Sequence, residues 1–474
     1  MQQKIRSEKM LTLPKVWPVA CHTDNVGIGS TFVAIKGINC DGIQFVADAI
    51  QKGATRIVVY QNALLPIDIL QKIKQKNIVL IYVDDTRLAL AQLSTQAYNH
   101  PAHKLNIVGI TGTKGKTTTA FLTHHILQAS GIKTALLSTV ENKIGDLVFT
   151  APLTTAQPDY LHMFFDQCVR QGITHLVMEV AAQAFSLHRV YGVQFDIGLF
   201  TNFAHEHLEF YTSMDDYFAA KCLLFQQMKP SAPVIINVDD KPLQNIVYDN
   251  MVHMSAKDIT VNCVAPDVQF VIELQGEKYM VHAPYLIGEF NLYNVLSALH
   301  SALLLGVPIE KIISAIKTFK GVKGRMQKYQ LPNGAVCYID YAHTPDSYKQ
   351  VLGLLRSLTD RLIVVFGCGG LRDKTKRSLM GAIAGSFADT VMLTSDNPRT
   401  EDPNEIVRDI KRGIAKEHEY KVIVVLDREK AIEKAYELST ADTIIALLGK
   451  GPDEFQIIGN VRHRYSDEEN VIAL

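Results

Sequence analysis

The segment from Leu105 to Gly131 constrains the fold of this chain more than any other. Residues 105–110 form a short apolar run rich in β-branched side chains, which is typical of a buried strand. Gly112 and Gly115 follow, and a helical pattern then continues to Gly131, where a helix would stop. A buried strand that leads through a glycine loop into a helix predicts an α/β fold with a mostly parallel sheet.

The loop between this strand and this helix has the composition of a phosphate-binding loop. Backbone N–H groups of such a loop point inward, and the helix N-terminus adds partial positive charge. Lys116 is placed to reach the outer phosphates, and the Thr117 hydroxyl to help hold Mg²⁺. The loop is shorter than usual, because Ile110 stands where a first glycine is expected. The alternative is a solvated turn rich in glycine and threonine. We expect instead that the loop binds a nucleoside triphosphate, through Gly112, Thr113, Lys114, Gly115, Lys116, Thr117 and Thr118.

The composition argues against several other classes of protein. Lysine plus arginine and aspartate plus glutamate both number 48, so a broad nucleic-acid-binding surface is not expected. No apolar run reaches the ~18 residues of a membrane span, and the first residues do not resemble a signal peptide. The 7 cysteines form no CxxC pair, which argues against a zinc site or a disulfide framework. We therefore expect a cytoplasmic, monomeric protein that acts on small molecules.

The strand and helix patterns divide the chain into three predicted α/β domains, at residues 1–98, 99–323 and 324–474. The first is small, the second contains the glycine loop, and the third repeats the alternation of a doubly wound, Rossmann-like unit. We expect a hairpin over residues 270–282 to extend the central sheet. The principal predicted strands are 31–35, 54–60, 78–83, 105–110, 134–138, 176–180, 197–201, 234–237, 336–340, 361–366, 391–395, 422–426 and 443–448.

Three polar residues of the central domain lie where ligands collect in parallel sheets. Glu179 and His207 each follow a predicted strand, and Lys221 lies in a helical segment. A carboxylate and an imidazole near the phosphates would hold Mg²⁺, directly or through water. Taken singly, each residue also fits an ordinary role, as a strand-end charge, a loop histidine or a solvated helix lysine. We expect His124 and His125 to be exposed on the helix after the glycine loop.

Several motifs together resemble the Mur ligase family, whose members use ATP to add amino acids to the peptide of the cell-wall precursor. In the central domain they are ITGTKGKTT at 110–118, MEV at 178–180, TNFAHEHL at 201–208 and YFAAKCLLF at 217–225. In the third domain they are GRM at 324–326, DYAHTPDS at 340–347, GCGGLRDKTKR at 367–377, DNPRTEDP at 396–403 and GKGPDEFQ at 449–456. The resemblance is nearly end to end and implies three domains, the central one a P-loop ATPase.

The resemblance also implies roles for matching residues around ATP. Lys116, Lys221 and His207 would be catalytic, and Lys221 would carry a carbamate derived from CO₂. This chemistry is reasonable, because a neutral amine in a desolvated site can take up CO₂ and become an anion. The implied Mg²⁺ ligands are Thr117, Glu179, His207 and Lys221, and the further ATP contacts are Asn291, Asn294, Arg325 and Asp340.

The DNPR motif resembles that of family members that add diaminopimelate. Its arginine, here Arg399, would pair with a carboxylate of the amino acid, a contact that suits a planar fork and that lysine addition would not need. A simple Asn-Pro turn is the alternative interpretation. The implied amino-acid pocket comprises Arg372, Asp396, Asn397, Pro398, Arg399, Gly449 and Asp453, and the implied contacts to the UDP-sugar peptide are Thr23, Thr154, Thr155 and Arg189.

Three departures from the family pattern bear on the substrate. Residues 22–24 are His-Thr-Asp where the family has Asp-Ser-Arg near the uridine, and residues 181–183 are Ala-Ala-Gln instead of Ser-Ser-His. Residues 452–453 are Pro-Asp instead of His-Glu. The phosphate and metal residues are intact, whereas the sugar contacts are altered. The segments GTKGKTT and HRVYG also resemble lysine-adding members.

The resemblance implies a complete reaction. ATP would activate the D-glutamate γ-carboxylate of UDP-N-acetylmuramoyl-L-alanyl-D-glutamate as an acyl phosphate, and meso-diaminopimelate would attack it, in peptidoglycan biosynthesis. The alternatives are L-lysine as the amino acid, or a folylpolyglutamate-type or other Mur-like ligase that acts on another carboxylate. A nucleotide-dependent switch or transport ATPase is a third class, against which the chain lacks an Asn-Lys-x-Asp guanine-reading motif.

Overall fold

The computed structural model describes residues 11–37, 40–205, 210–261 and 267–474. These residues form two compact units. The first unit comprises the described residues up to Thr260, together with Ile272–Tyr279 and Leu292–Lys317. The second unit comprises the remainder, most of it in Thr318–Leu474. The boundaries predicted for three domains, at 98/99 and 323/324, stay predictions, although the first unit contains both the N-terminal domain and most of the central one.

The N-terminal part of the first unit is a small parallel sheet in the order β1-β2-β3-β4. Its strands are β1 (Val19–Ala20), β2 (Thr31–Val33), β3 (Arg56–Tyr60) and β4 (Val79–Val83), and its helices are α1 (Val46–Gln51), α2 (Ile67–Gln75) and α3 (Thr86–Ala97). The Asp85 side chain starts α3 by accepting hydrogen bonds from the backbone of Arg87 and Leu88. The predicted strands are confirmed, whereas β1 and α2 were not predicted.

The central part of the first unit is an eight-stranded sheet in the order β12-β11-β10-β5-β9-β6-β7-β8. Its strands are β5 (Asn106–Thr111), β6 (Thr134–Leu137), β7 (Glu141–Ile144), β8 (Leu147–Thr150), β9 (His175–Glu179), β10 (Ile197–Phe200), β11 (Val234–Asn237) and β12 (Met251–Met254). The helices among them are α4 (Lys116–Ala129), α5 (Pro158–Arg170), α6 (Ala182–Ser186) and α7 (Met214–Cys222). Six neighbouring strands are parallel, which confirms the predicted doubly wound sheet, and only β7 and β8 are antiparallel.

The predicted hairpin exists, but its expected place in the central sheet is wrong. It forms a separate three-stranded sheet of β13 (Ile259–Val261), β14 (Asp267–Leu274) and β15 (Glu277–Ile287). Side chains of β14 alternate between buried and half-buried, so one face is covered and the other is not. Such alternation is typical of a sheet with one exposed face, whereas β6, β10 and β11 of the central sheet are buried on both faces. Two helices follow, α8 (Glu289–Leu304) and α9 (Ile309–Thr318).

The second unit contains a six-stranded sheet in the order β16-β17-β21-β18-β19-β20, parallel except for β16. Its strands are β16 (Gln327–Gln330), β17 (Val336–Asp340), β18 (Arg361–Phe366), β19 (Thr390–Leu393), β20 (Val422–Val424) and β21 (Thr443–Leu448). The remaining elements are α10 (Pro345–Arg356), α11 (Thr375–Phe387), α12 (Pro403–Lys411), α13 (Arg428–Glu437), α14 (Asp467–Ile472) and the hairpin of β22 (Phe455–Ile458) and β23 (Val461–Arg464). Apolar clusters cover both faces, as predicted for a Rossmann-like sheet.

Within the first unit, the N-terminal sheet packs against the central part through α3 and α5. Met163 of α5 belongs to the apolar core of the N-terminal sheet. The backbone N–H of Cys21, just after β1, donates to the buried Asp159 carboxylate at 2.9 Å. These contacts fix the turn after β1 against the central part. Across the described ranges, none of the helices combines the length and apolar character that a membrane span requires.

Candidate active site

The glycine loop between β5 and α4 is held in place by the segment after β10. The N–H of Thr113 donates to the Asn202 carbonyl at 2.9 Å, and the N–H of Lys114 donates to the Asn202 side-chain oxygen at 2.8 Å. The Thr201 hydroxyl donates to the Lys114 carbonyl at 2.7 Å. These bonds join the segments that directly follow β5 and β10, two neighbouring strands of one sheet, and they fix the shape of the loop.

Two glycines allow this close packing. Gly112 has φ +138°, and a Cβ atom there would lie 1.9 Å from the Thr201 hydroxyl oxygen. Gly115 has φ +82°, and a Cβ atom there would lie 2.3 Å from Asn294 Oδ1. Gly115 is also the N-cap of α4, and because it has no side chain the first N–H groups of the helix receive no side-chain cap. Such a helix start suits a phosphate group.

Two lysine side chains converge on this loop. Lys116 Nζ donates to the carbonyls of Gly112 and Thr113 at 2.9 and 3.0 Å. Lys221 Nζ donates to the same Gly112 carbonyl at 2.6 Å and lies 4.5 Å from the ring centre of Tyr217. Lys221 is only 1% exposed, so its interpretation as a solvated helix lysine is wrong. Two ammonium groups therefore meet at one carbonyl of the loop, where they can attract an anionic ligand.

Two of the predicted metal ligands are in contact beside the loop. The buried Glu179 carboxylate accepts hydrogen bonds from the Thr117 hydroxyl at 3.0 Å and from the N–H of Thr139 at 2.9 Å. A carboxylate and a hydroxyl are hard oxygen donors, so this pair fits Mg²⁺. His207 lies outside the described residues. No cluster of three or more His, Cys, Asp or Glu side chains occurs in the described ranges, but Mg²⁺ needs few protein ligands because it keeps several waters.

The four other predicted ATP contacts fall in both units. In the first unit, Asn294 approaches Gly115 and accepts a hydrogen bond from the Thr119 hydroxyl at 3.3 Å. In the second unit, Asn291 donates to the Ile287 carbonyl at 2.8 Å, and Arg325 lies 4.7 Å from the ring centre of Tyr341. Both carboxylate oxygens of Asp340 accept backbone N–H groups at 2.7 Å, from Met326 and Ala342. Burial raises the pKa of Asp340.

Three of the predicted sugar-peptide residues lie together beside Glu179. The Thr155 hydroxyl donates to the Glu179 carbonyl at 3.0 Å, and Arg189 Nη1 donates to the Thr155 carbonyl at 2.9 Å. Thr154 accepts a hydrogen bond from the Thr139 hydroxyl at 3.1 Å. Burial and the positive charge of Arg87 lower the pKa of Arg189. The structure therefore groups these side chains at the carboxyl end of β9.

Thr23 occupies a different position, in the turn after β1. It is buried, and its hydroxyl donates to the Asp48 carboxylate, which lowers the pKa of Asp48. The Thr23 hydroxyl is thus already bonded within the N-terminal sheet.

In the second unit, the predicted amino-acid residues meet where two loops adjoin. We call residues 367–373, between β18 and α11, the glycine–arginine loop, and residues 396–401, after β19, the DNPR turn. Arg399 Nη1 donates to the carbonyls of Gly370 and Asn397 at 2.8 and 3.4 Å. A Cβ atom on Gly369 would lie 3.2 Å from Arg399 Nη1 and 3.5 Å from Arg372 Cγ, so both arginines flank that glycine.

The electrostatics around Arg399 favour an anion. Burial and the nearby charge of Arg372 lower the pKa of Arg399. Among the residues that the structure describes, Arg399 forms no ion pair within 4.0 Å; its side-chain hydrogen bonds go to backbone carbonyls. A guanidinium with this environment is suited to bind a carboxylate from a ligand.

Lys450 is a buried residue of this pocket that sequence reasoning missed. It is fully buried and donates to Asn397 Oδ1 at 3.0 Å and to the Phe455 carbonyl at 2.6 Å. Its Nζ lies 3.8 Å from Asp396, and burial lowers its pKa. Nearby, burial raises the pKa of Asp453 to about 6. The GKG motif at residues 449–451 could have indicated Lys450, but only Gly449 was given a role from the sequence.

The prediction for His124 is wrong. The residue is 3% exposed, and burial lowers its pKa to about 4. His125 is half-buried and contacts the Ala315 carbonyl of α9 at 3.1 Å. α9 therefore contacts α4 at His125, which we had predicted to be exposed.

Three family descriptions match the chain. They are "Mur ligase family, catalytic domain" at residues 19–98, "Mur ligase middle domain" at residues 110–302 and "Mur ligase, glutamate ligase domain" at residues 324–451. Together the matched segments include the glycine loop, Glu179, Lys221 and the DNPR turn.

Individual proteins match over nearly the whole chain. The UDP-N-acetylmuramoyl-L-alanyl-D-glutamate--2,6-diaminopimelate ligase of Caldanaerobacter subterraneus subsp. tengcongensis is 36% identical over 455 residues, covering 93% of this chain and 90% of that protein. The ligase of the same name from Bacillus cereus is 36% identical over 477 residues, covering 96% and 93%. A solved structure of a ligase with this name is 27% identical, covers 97% of this chain and 94% of its own, and superimposes with a TM-score of 0.62. This chain belongs to the Mur ligase family.

Proposed function

We propose that this chain is an ATP-dependent ligase that joins meso-diaminopimelate to UDP-N-acetylmuramoyl-L-alanyl-D-glutamate in the cytoplasm. The observation that carries the reaction type is the convergence of Lys116 and Lys221 on the Gly112 carbonyl, beside the Glu179–Thr117 pair. In that arrangement Lys116 provides a cation for the triphosphate, and Glu179 and Thr117 provide hard oxygen donors for Mg²⁺. Ligases of this family use ATP and Mg²⁺, which agrees with the site.

The reaction transfers the γ-phosphate of ATP to the D-glutamate γ-carboxylate. The resulting acyl phosphate is attacked by the amine of the incoming amino acid, and the tetrahedral intermediate collapses to the amide and inorganic phosphate. Lys116 and the backbone N–H groups at the start of α4 offset the negative charge that develops during phosphoryl transfer. Thr155 and Arg189 lie beside Glu179, and in this proposal they orient the carboxylate substrate.

Thr117 and Glu179 would hold Mg²⁺, and the predicted contribution of His207 remains part of this proposal. The ion would neutralise phosphate charge and orient the reacting oxygens. We assign a carbamate to Lys221 because its amine is buried beside the glycine loop and because its motif, YFAAKCLLF, resembles the one in which family members carry a carbamylated lysine. Addition of CO₂ to the neutral amine forms an N–C bond and releases one proton, which gives an anion able to bind a cation.

The second amino-acid carboxylate would bind to Arg399, with Arg372 adding positive charge beside it. Ionised Asp453 would bind the distal ammonium of the same molecule. This is why we favour diaminopimelate over L-lysine, which lacks the second carboxylate. Asp396 and Asn397 support the pocket through Lys450.

The direct test measures phosphate release from ATP with UDP-N-acetylmuramoyl-L-alanyl-D-glutamate, comparing meso-diaminopimelate with L-lysine. We expect release only when both the carboxylate substrate and an amino acid are present, and faster release with diaminopimelate. No release with either amino acid would contradict the proposed substrate, and phosphate release without any acceptor would favour a simple ATPase. Faster release with L-lysine would contradict the choice of diaminopimelate and the role of Arg399, but not the ligase reaction itself.

The carbamate has a separate test. We expect Lys221→Ala to lose activity by roughly 10²–10³-fold, because an anion beside the phosphate site is removed. Short carboxylic acids added to the assay should restore part of that activity by occupying the vacated space. Lys221→Ala with full activity and no additive would show that the carbamate assignment is wrong.

A further inference from the structure

Arg377 and Glu401 form a buried ion pair next to the amino-acid pocket, although neither has been given a role above. Arg377 belongs to α11, and its side chain is 0% exposed, whereas that of Glu401 is 11% exposed. Arg377 Nη1 and Nη2 donate to the two carboxylate oxygens of Glu401 at 2.8 and 2.9 Å, which is a bidentate contact. Nη1 also donates to Asp409 of α12 at 3.0 Å.

The pair joins the two loops that carry the pocket arginines. Arg377 Nη2 donates to the Gly369 carbonyl at 3.3 Å, within the glycine–arginine loop. Glu401, at the end of the DNPR turn, accepts the backbone N–H of Leu371 from that same loop at 3.1 Å. Each partner therefore contacts the glycine–arginine loop, which contains Arg372. Glu401 is itself part of the DNPR turn, which contains Arg399.

A second set of contacts depends on this arrangement. The N–H of Gly370 donates to the Asn397 carbonyl at 2.9 Å, and the Gly370 carbonyl accepts the guanidinium of Arg399 at 2.8 Å. Moving Leu371 away from Glu401 would displace Gly370, the residue that holds the side chain of Arg399. The direction in which Arg399 presents its guanidinium thus depends on the ion pair.

We propose that the Arg377–Glu401 pair is a positioning element that holds the glycine–arginine loop and the DNPR turn together and thereby sets the selectivity for an amino acid with a second carboxylate. The identity of that amino acid rests on the proposed function above. The pair itself does not touch the amino acid. It acts through the orientation of Arg399 and Arg372.

The pair is well suited to this role because it is charged and buried. Hydrogen bonds from Arg377 and Lys374 hold the pKa of Glu401 well below its usual range, so the carboxylate stays ionised at any pH at which the enzyme would be assayed. Removal of Arg377 leaves Glu401 paired only with the exposed Lys374, and removal of the Glu401 charge leaves Arg377 paired only with Asp409. In either case the buried link between the two loops is lost, and the loops are expected to shift.

The test compares Arg377→Met, Arg377→Lys and Glu401→Gln with the unmodified protein. The readout is the ratio of kcat/KM for meso-diaminopimelate to kcat/KM for L-lysine. A loss of stability alone lowers both values together, whereas misplacement of Arg399 affects only the substrate with the second carboxylate. We expect the ratio to fall by roughly tenfold or more in Arg377→Met and in Glu401→Gln, and less in Arg377→Lys.

Arg428→Met is the matched control. Arg428 is also fully buried and forms a bidentate pair with Asp467, at 2.7 and 2.8 Å. Its further hydrogen bond goes to the Leu448 carbonyl at 3.1 Å, so its hydrogen bonds do not join the glycine–arginine loop to the DNPR turn. Loss of the Arg428–Asp467 pair should lower thermal stability but leave the ratio of kcat/KM for the two amino acids unchanged. If Arg377→Met does not fold, Glu401→Gln, which keeps the side-chain shape, decides the outcome.

A second measurement does not depend on the substrate. Hydrogen exchange of the backbone amides of Gly370 and Leu371 should accelerate in Arg377→Met and Glu401→Gln, but not in Arg428→Met. Absence of activity in the unmodified protein with either amino acid would count against the proposed function, while amide exchange would still test the positioning role. Folded variants with an unchanged ratio and unchanged exchange would overturn the inference.

Discussion

The phosphate site and the amino-acid pocket are organised by different kinds of contact. At the glycine loop, backbone carbonyls and N–H groups make most of the bonds, and the loop is held by the adjacent strand end through Thr201 and Asn202. In the amino-acid pocket, long charged side chains connect loops that are distant in sequence, as in the pairs of Arg377 with Glu401 and of Lys450 with Asn397.

This difference has a consequence for what each site can recognise. A backbone-lined loop binds phosphate groups that every nucleoside triphosphate shares, and side-chain replacements around it leave its shape largely intact. A pocket built from ion pairs is more specific, because its arginines point in directions fixed by buried partners. We therefore expect substitutions to affect the reaction as a whole at the first site, and the choice of amino acid at the second.

The largest effect is expected at the backbone of the phosphate site. Gly112→Ala would place a Cβ atom 1.9 Å from the Thr201 hydroxyl oxygen, so the loop must shift. We expect acceptor-dependent phosphate release to fall by about 10²-fold or more with both amino acids. Steady-state kinetics would measure the loss.

Gly131→Ala is the matched control for this change. Gly131 also has positive φ, at +88°, but nothing lies within 4 Å of its Cβ position. The control should cost about 1–2 kcal/mol of stability and no activity. Equal losses of activity in the two variants would show that backbone strain, rather than loop shape, explains the result.

A smaller and more selective effect is expected for Arg399→Lys. Lysine keeps the charge but loses the planar fork, and a charged hydrogen bond of about 1.5–3 kcal/mol is removed. The KM for diaminopimelate should rise by roughly 10–100-fold, while the KM for L-lysine changes little. Arg408→Lys, at an arginine that is 59% exposed and paired with Glu405, serves as the control. An equal rise in KM for both amino acids would contradict the proposal that the second site determines the choice of amino acid.

The smallest effect concerns pH and Asp453. Burial raises its pKa from 3.8 to about 6, so the ionised carboxylate costs stability above pH about 6 and this cost disappears as the pH falls to about 4. Asp453→Asn should therefore raise the melting temperature at pH 8 and leave it unchanged at pH 4. Because the side chain is partly exposed, we expect at most about 1 kcal/mol.

The same variant should bind the diamino acid less well at pH 8, because the charge that would pair with its distal ammonium is gone. Calorimetric melting at several pH values, together with the KM for diaminopimelate, would check both results. A change in melting temperature that does not depend on pH would count against the raised pKa.

The features that sequence reasoning predicted are local ones. The strand, the loop and the start of α4 lie within 20 residues, and their existence follows from the order of apolar residues, glycine, lysine and threonine in the sequence. Glu179 was predicted from a general rule, that ligands collect at the carboxyl ends of parallel strands, and it does contact Thr117. His207 lies outside the described residues, so its role stays a prediction.

The features that were missed depend on packing. Arg377 and Glu401 are 24 residues apart, and Lys450 and Asn397 are 53 apart, so nothing in their local patterns indicates a partner. His124 was predicted to be an exposed helix residue, but α4 packs on β5, β6 and β9, and the residue is buried. The separate sheet of β13, β14 and β15 was missed for a similar reason. The alternation of side chains in a hairpin predicts its two strands, but it does not show which sheet they join.

Arg399 has a further property with evolutionary meaning. Its φ is +54°, a left-handed conformation, and its backbone is fixed there by bonds to the Ile457 carbonyl and from the Gly459 N–H, at 3.0 and 2.8 Å. Glycine or asparagine would adopt this conformation at lower cost, but neither has a guanidinium group. Stability and substrate choice therefore favour different residues at this position. If selection for a dicarboxylic substrate were relaxed in a lineage, selection for stability would be expected to favour glycine or asparagine at this position.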